Sequence, residues 1–316
     1  MKKFLNFQIL ICSFILSMFL FSCNPVTTSG SMKEVDASKE TIGDIIRNLT
    51  EDTMIIIEEP IGDDTITEIS SALKYLTQTE GKKEIKVGLN MKKATGIFNS
   101  GSFCGCTNLV DIRLPDCVDT ISGNAFQNCT SLNNIELPEN LKVIESNAFQ
   151  YCNLSTINIP SSVQDIAPSA FNDCFNLRNI NVDSNNAEFT SINGILYSKN
   201  KETLYRYPCG KKDTSFTVPS NVLYLGNKSF EGSRYLKNVT LQDGVSIIKQ
   251  EAFSNCGECL ETITIPTSVY TIDQYAFFNC YKLTAINYKG SQDKWTKINF
   301  GENWDKQCDN YKINYN

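Results

Sequence analysis

The 316-residue sequence predicts an α/β repeat solenoid: coils stacked on a parallel β-sheet, a short helical or irregular convex side, and an α/β cap at the N-terminal end. Three observations carry that prediction. A unit of about 23 residues recurs along most of the chain. Each unit has two short apolar stretches that it is too small to bury alone. The segment before the first unit has helical and strand periodicity but lacks the unit's signature.

Residues 1–22 read as a lipoprotein signal peptide, with Lys2 and Lys3 ahead of a mostly apolar run over residues 4–21. Asn6 and Gln8 interrupt the roughly 20 apolar residues that a membrane span needs. Leu20-Phe21-Ser22-Cys23 resembles a bacterial lipobox, although Phe21 departs from the usual small or aliphatic residue. That resemblance implies that Cys23 becomes the lipidated first residue of the mature chain. An ordinary secretory signal cut nearby, with Cys23 incidental, is the alternative. Residues 23–40, rich in Ser, Thr, Pro and Gly, have the composition of a flexible tether.

Residues 41–98 are assigned to an N-terminal cap and first strand. TIGDIIRNL has the spacing of a short helix, TMIIIEE that of a strand and ITEISSALKYL that of a second amphipathic helix. Ile85, Val87, Leu89 and Met91 fit the first strand of the sheet.

The repeats occupy residues 99–290. Aligned on Phe103, Phe126, Phe149, Phe171, Phe230, Phe253 and Phe277, the steps are 23, 23, 22, 59, 23 and 24 residues. Leu109, Leu132, Leu154, Leu177, Leu236, Leu260 and Leu283 keep the same beat, as do Ile112, Ile135, Ile157, Ile180, Val239, Ile263 and Ile286. The unit is A-F-x-x-C-x-x-L-x-x-I-x-L-P-x-x-V-x-x-I. Alternation at the Ile and the following Leu marks a short strand, which Pro ends. The V-x-x-I pair turns inward again on a second wall.

The long step implies an insert at about 183–214. There Asn193-Gly194-Ile195-Leu196-Tyr197 and Thr203-Leu204-Tyr205-Arg206-Tyr207-Pro208 flank a polar turn, as in a hairpin-like coil. Residues 291–316, with Trp295, Ile298, Phe300 and Trp304, are expected to cap the last coil.

The repeat, the Asn-Gly-Ile-Leu-Tyr to Tyr-Pro insert and the closing Tyr-Lys-Gly-Ser-x-x-x-Trp-x-x-Ile together resemble the BspA-like leucine-rich repeat family over about residues 85–300. Lys86-Val87-Gly88-Leu89-Asn90-Met91, with Thr95-Gly96, is similar to the lead-in of treponeme-type surface lipoproteins of that family. The resemblance implies a leucine-rich-repeat solenoid. It also implies a surface lipoprotein or secreted protein of a host-associated bacterium, some members being adhesins. A cell-envelope location follows, lipid-anchored at the outer membrane or cell surface, with Asn24 in place of the Asp that retains many lipoproteins at an inner membrane.

Composition narrows the chemistry. With no histidine, His-based nucleophile pairs, His-ligated zinc and the usual proton shuttle are excluded. A net charge of −6 without a Lys/Arg block argues against nucleic acid as a partner. No cofactor motif is present, and no enzyme activity is expected.

Cys106, Cys129, Cys152, Cys174, Cys256 and Cys280 share one repeat position and are expected to form a buried structural column. In register their Cβ vectors point alike, which disfavours disulfides, and so many thiols in an exported protein suit a reducing habitat. Cys256 and Cys259 form a CxxC without the second pair that zinc requires. Cys104, Cys117, Cys209 and Cys308 receive no assignment.

The outward strand positions form the candidate partner-binding face: Asp111, Arg113, Asn134, Glu136, Thr156, Asn158, Asn179, Asn181, Thr217, Asn238, Thr240, Thr262 and Thr264. Most are small, neutral and polar. The alternative is a sheet face that is merely solvated. Tyr197, Tyr205 and Tyr207 are candidate exposed anchors in the insert, with inward packing the alternative. Asp111 and Glu136, about 8 Å apart by strand geometry, fall in the range of an inverting glycosidase. Arg113 opposite Glu136 favours an ordinary ion pair instead.

The expected function is adhesion or protein binding. The partner is a protein or glycan macromolecule on a host or microbial surface, and the lipid supplies the membrane contact. A structural envelope spacer without a dedicated ligand is the alternative, and a carbohydrate-active enzyme the remote one.

Overall fold

The computed structural model describes residues 9–11, 42–57, 61, 63–92, 101–308 and 310–316. The lipidation site Cys23, the tether, Thr95-Gly96 and all of the signal segment except residues 9–11 lie outside the described residues. Ile9–Ile11 is a strand paired antiparallel to Thr53–Ile57.

In the cap, helix Ile42–Arg47 buries Ile42, Ile45 and Ile46, and helix Asp63–Gln78 buries Ile66, Ile69, Ala72, Leu73 and Leu76. Both stripes follow the three-and-four spacing of an amphipathic helix. Strand Thr53–Ile57 runs parallel to Val87–Asn90 in the same sheet. The expectation that the sheet begins at residues 85–91 is therefore corrected: two strands, Ile9–Ile11 and Thr53–Ile57, precede them. Burial alternates along the second of these, with Thr53, Ile55 and Ile57 buried and Met54 and Ile56 half-buried.

The main sheet continues in parallel through Leu109–Arg113 and Asn134–Glu136, then through the pair Thr156–Ile159 and Asn179–Val182. It resumes with Ser215–Val218, Asn238–Leu241, Thr262–Ile265, Ala285–Tyr288 and Lys312–Tyr315. The V-x-x-I stretches build a second parallel wall. Thr120–Ile121, Val143–Ile144 and Asp165–Ile166 form one part, and Thr203–Arg206, Tyr224–Leu225, Ile247–Ile248, Thr271–Ile272 and Asn299–Phe300 the other. A leucine-rich-repeat solenoid of this kind matches the fold that the repeat predicts.

Between the walls the phenylalanines stack. Phe103, Phe126, Phe149 and Phe171 lie 5.6, 5.5 and 5.7 Å apart, ring planes within 6°. A second stack runs Tyr207, Phe230, Phe253 and Phe277 at 5.3, 4.8 and 5.1 Å. Left-handed residues flank most of the buried phenylalanines where the chain turns in and out, such as Asn124 and Asn128 around Phe126 (φ 59° and 61°) and Asn255 after Phe253 (φ 58°). Asparagine tolerates that conformation better than most residues, which explains its frequency at these turns.

The insert has three strands where the sequence suggests two. Phe189–Ile192 pairs antiparallel with Ile195–Ser198, which pairs antiparallel with Thr203–Arg206. Asn193 and Gly194 close the first hairpin with φ of 52° and 77°, the left-handed pair that a two-residue turn requires.

The chain end differs more. Residues 291–316 were expected to lie over the last coil, but they form a further coil of their own, contributing Asn299–Phe300 to one wall and Lys312–Tyr315 to the other. Phe277 N–H donates to Trp304 O at 2.7 Å, as Phe253 N–H does to Ala276 O at 2.7 Å. Trp304 thus holds the alanine place, and Asp305, accepting from Tyr311 Oη at 2.6 Å, follows where phenylalanine stands elsewhere. The stack therefore ends with the Trp304 ring set edge-on to Phe277 at 5.9 Å.

Candidate functional site

The sheet register brings the candidate face into rows. Asp111 lies beside Asn134 and Arg113 beside Glu136; Thr156 lies beside Asn179 and Asn158 beside Asn181. Further along, Thr217 neighbours Thr240, which neighbours Thr264, and Asn238 neighbours Thr262. All of these positions are exposed or half-buried, while Ile112, Ile135, Ile157, Ile180, Val239 and Ile263 point inward and are buried. The alternation of a strand with one covered face produces this division.

Many of these side chains bond to their neighbours one coil away. Asn134 Nδ2 donates to Asp111 Oδ1 at 2.9 Å, Asn181 Nδ2 to Asn158 Oδ1 at 2.9 Å and Thr262 Oγ1 to Asn238 Oδ1 at 2.6 Å. Asn314 Nδ2 to Asn287 Oδ1, at 2.8 Å, extends the pattern into the terminal coil. The result is a face of side chains held in fixed rows, each amide retaining spare donors or acceptors toward solvent.

Charge is concentrated at the N-terminal end of the face. Glu136 pairs with Lys92 Nζ at 2.7 Å and with Arg113 Nε at 3.5 Å. The hydrogen bond from Lys92 to Glu136, then their attraction, raises the Lys92 pKa. Burial pushes the Asp111 carboxyl up, and the Asn134 amide and Arg113 partly offset this. Asp111 is held by the Asn134 amide, and Glu136 by Lys92 and Arg113.

The cysteine column has a specific geometry. The thiols of Cys129, Cys152, Cys174, Cys256 and Cys280 donate to the carbonyl oxygens of Phe103, Phe126, Phe149, Phe230 and Phe253 at 3.0, 3.1, 2.9, 3.1 and 3.0 Å. Each clips its coil to the phenylalanine of the coil before. Cys106, at the cap, lies 3.5 Å from Ser70 Oγ instead, and none of these six forms a disulfide. Burial raises the pKa of Cys106 to about 11 and that of Cys280 well above the ordinary value, so the thiols stay neutral.

Cys308 also belongs to the column, its Sγ donating to Phe277 O at 2.8 Å. Its spacing to the preceding Phe277 is stretched by the helical turn Gln292–Trp295, which hides the match in sequence. Cys209 donates to Cys174 O at 2.9 Å, and Cys259 to Ser233 O at 2.8 Å. The CxxC thiols therefore serve different carbonyls. Among the described residues, no three metal-ligating side chains converge.

Of the insert tyrosines, Tyr197 and Tyr207 are buried and only Tyr205 is exposed. Sequence reasoning missed an aromatic ridge elsewhere. The Arg234 guanidinium sits 3.4 Å from the centre of the Phe175 ring, Tyr151 meets that ring edge-on at 6.1 Å, and Tyr235 and Tyr281 are exposed on later coils. The signal was one repeat position, where Phe175 and Tyr281 follow a column cysteine and Arg234 follows Ser233.

Comparison with known proteins agrees with this architecture. The family described as "BspA type Leucine rich repeat region" matches in 6 copies over residues 96–205 and 201–303. The chain belongs to that family. Curated proteins give no significant match. Among solved structures, the pneumococcal vaccine antigen PcpA is similar with a TM-score of 0.56 and 22% identity, over 75% of this chain and 71% of that one. A leucine-rich repeat protein from Eubacterium ventriosum is similar with a TM-score of 0.54 and 21% identity, over 84% of this chain and 80% of that one.

Proposed function

We propose that this protein is a non-enzymatic binding protein of the bacterial cell surface, anchored by lipid at Cys23, that presents its main sheet to a protein or glycan of a host or microbial surface. The observation that carries this reading is the fixed outward face: Asn158, Asn181, Thr217, Thr240 and their neighbours are displayed in register on a rigid stack. Side chains already held in place lose little freedom on binding. Membership of a family of repeat proteins and the lipobox-like Leu20-Phe21-Ser22-Cys23 point the same way, as does the similarity to a protein described as a vaccine antigen. Signal cleavage would remove Ile9–Ile11 and leave Thr53–Ile57 as the sheet edge.

Protease shaving of intact cells, followed by a binding screen, tests the reading. The expected results are loss of the protein from shaved cells and saturable binding to an extracellular protein or glycan. Lysine substitutions across Asn158, Asn181, Thr217 and Thr240 should weaken that binding. Cys23→Ala should release the protein from the membrane, and retention would remove the lipid anchor from the proposal. The spacer reading draws on the same rows, because Asn134 with Asp111 and Thr262 with Asn238 satisfy one another. Failure to bind matrix proteins, cells or glycans would favour it.

A further inference from the structure

The regular coils are joined in four ways: by the main sheet, by the second wall, by the ring stack and by the thiol clip. Between Asn134–Glu136 and Thr156–Ile159 the sheet ladder lapses, but the Phe126–Phe149 stack, the Val143–Asp165 pairing and the Cys152 clip remain. At the insert, none of the four passes across in its regular form.

There, Asn179–Val182 and Ser215–Val218 belong to separate sheets, as do Asp165–Ile166 and Thr203–Arg206. The ring stack stops at Phe171 and restarts at Tyr207. The thiol clip is displaced: Gly210 stands three positions after Tyr207, and Cys209, one place earlier, donates to Cys174 O at 2.9 Å and not to Phe171 O. The buried apolar residues form two clusters divided at this place, the insert contributing Phe189, Leu196 and Cys209 to one and Ile195, Tyr197, Leu204 and Tyr207 to the other. A solvent-open cleft of about 190 Å³ straddles the seam, lined by Pro168 and Ser169 on one side and Asn227, Lys228, Gln250 and Glu251 on the other.

Arg206 occupies this seam. By register it takes the place of Ala125, Ala148, Ala170, Ala252 and Ala276, immediately before the stacked ring, and its side chain is only 3% exposed. Nη2 donates to Phe171 O at 3.2 Å, the carbonyl that a thiol would otherwise clip, and Nη1 donates to Asn172 Oδ1 at 3.3 Å. In the other direction Nη1 donates to Lys228 O at 2.7 Å and lies 3.8 Å from Glu231 Oε2. One guanidinium thus bonds the coil before and the coil after its own. Lys228, Glu251 and Asp173 complete the charged surroundings.

We infer that Arg206 is the tie that couples two half-solenoids, residues 101–182 and 215–308, each of which has its own core and opens on its own when the tie is cut. In a stack stabilised by nearest-neighbour interfaces, the interface with fewest regular contacts is where cooperativity breaks. Arginine suits the role because its planar fork reaches several acceptors, whereas Lys presents a single point of donors.

Native-state hydrogen exchange of the mature chain in rising guanidinium, read by peptide across both halves, tests this. In Arg206→Met, exchange in the two halves should diverge by at least tenfold more than in the wild type, and Arg206→Lys should diverge partway. Ile263→Val, a core change within one half, should weaken that half without adding comparable divergence between the halves. Unchanged divergence in Arg206→Met, or equal divergence in Ile263→Val, would overturn the inference. So would an Arg206→Met chain that fails to fold at all, because each half is held to keep its own core.

Discussion

Two interfaces within one solenoid show what the repeat supplies and what it does not. Between the coils of Phe126 and Phe149, rings stack at 5.5 Å, Cys152 clips Phe126 O at 3.1 Å and the second wall is paired. Between the coils of Phe171 and Tyr207, an antiparallel meander and a buried arginine take over. The first interface is made by residues that recur, so any neighbour fits any neighbour. The second is made once, by Asn186, whose side-chain amide donates to Pro160 O and Val163 O at 3.0 and 2.9 Å, and by Arg206. Repetition gives interchangeable contacts; interruption needs residues specific to the place.

The largest expected effect separates these regions. Phe149 is fully buried with a ring on either side, so Phe149→Ala should destabilise by about 3–5 kcal/mol in denaturant unfolding. Tyr205, on the insert surface and 36% exposed, should cost less than about 1 kcal/mol when changed to Ala. Equal losses would break the contrast.

The thiol clip is the next test. Cys152→Ala removes one of two donors to Phe126 O, the Cys129 N–H remaining at 3.1 Å, and should cost about 0.5–1.5 kcal/mol. Titration adds a second handle. Burial lifts the Cys106 thiol to about 11, so above pH 9 the unfolded chain loses a proton that the folded chain keeps. The stability this gives is complete below the unfolded pKa and is lost as pH rises through the folded one. Stability should fall between pH 9 and 11, and Cys106→Ala should reduce the slope by about 1.4 kcal/mol per pH unit.

The turns offer a smaller effect. Asn147 holds φ at 57° two residues before Phe149, and Asn147→Ala should cost about 1 kcal/mol while Asn147→Gly stays near neutral. An equal cost for both would mean that the amide, not the backbone, matters there.

These contrasts follow what was legible in the sequence. Phe126, Cys129, Leu132 and Ile135 recur, and a recurring pattern fixes one register for every coil, so the walls and the column could be placed from spacing alone. The strand Thr53–Ile57 was visible as a strand but not as part of the sheet, since its partner lies across a helix and no repeat links them. Phe189–Ile192 was hidden because FTSI is half polar, although Asn193-Gly194 after it is a hairpin signal. Arg206 could not be seen, because only register with the alanine column shows that a charge stands in the core. The rows of the candidate face were readable as positions; their mutual hydrogen bonds depend on rotamers that spacing does not specify.

The smallest effect bears on the face itself. Arg113 and Glu136 are each 46% exposed and Lys92 competes for the same carboxylate at 2.7 Å, so Arg113→Ala should change stability by less than about 0.5 kcal/mol. That is an advantage for testing function, because a loss of partner binding in Arg113→Ala, or in Asn181→Lys further along, would then report the surface and not the fold. Glu136→Gln sharpens it further by releasing Lys92 and Arg113 together while keeping the side-chain shape. If the partner is acidic, affinity should rise in Glu136→Gln and fall in Arg113→Ala. No change in either would mean that this charged end lies outside the contact and that the neutral rows beyond Asn158 carry it.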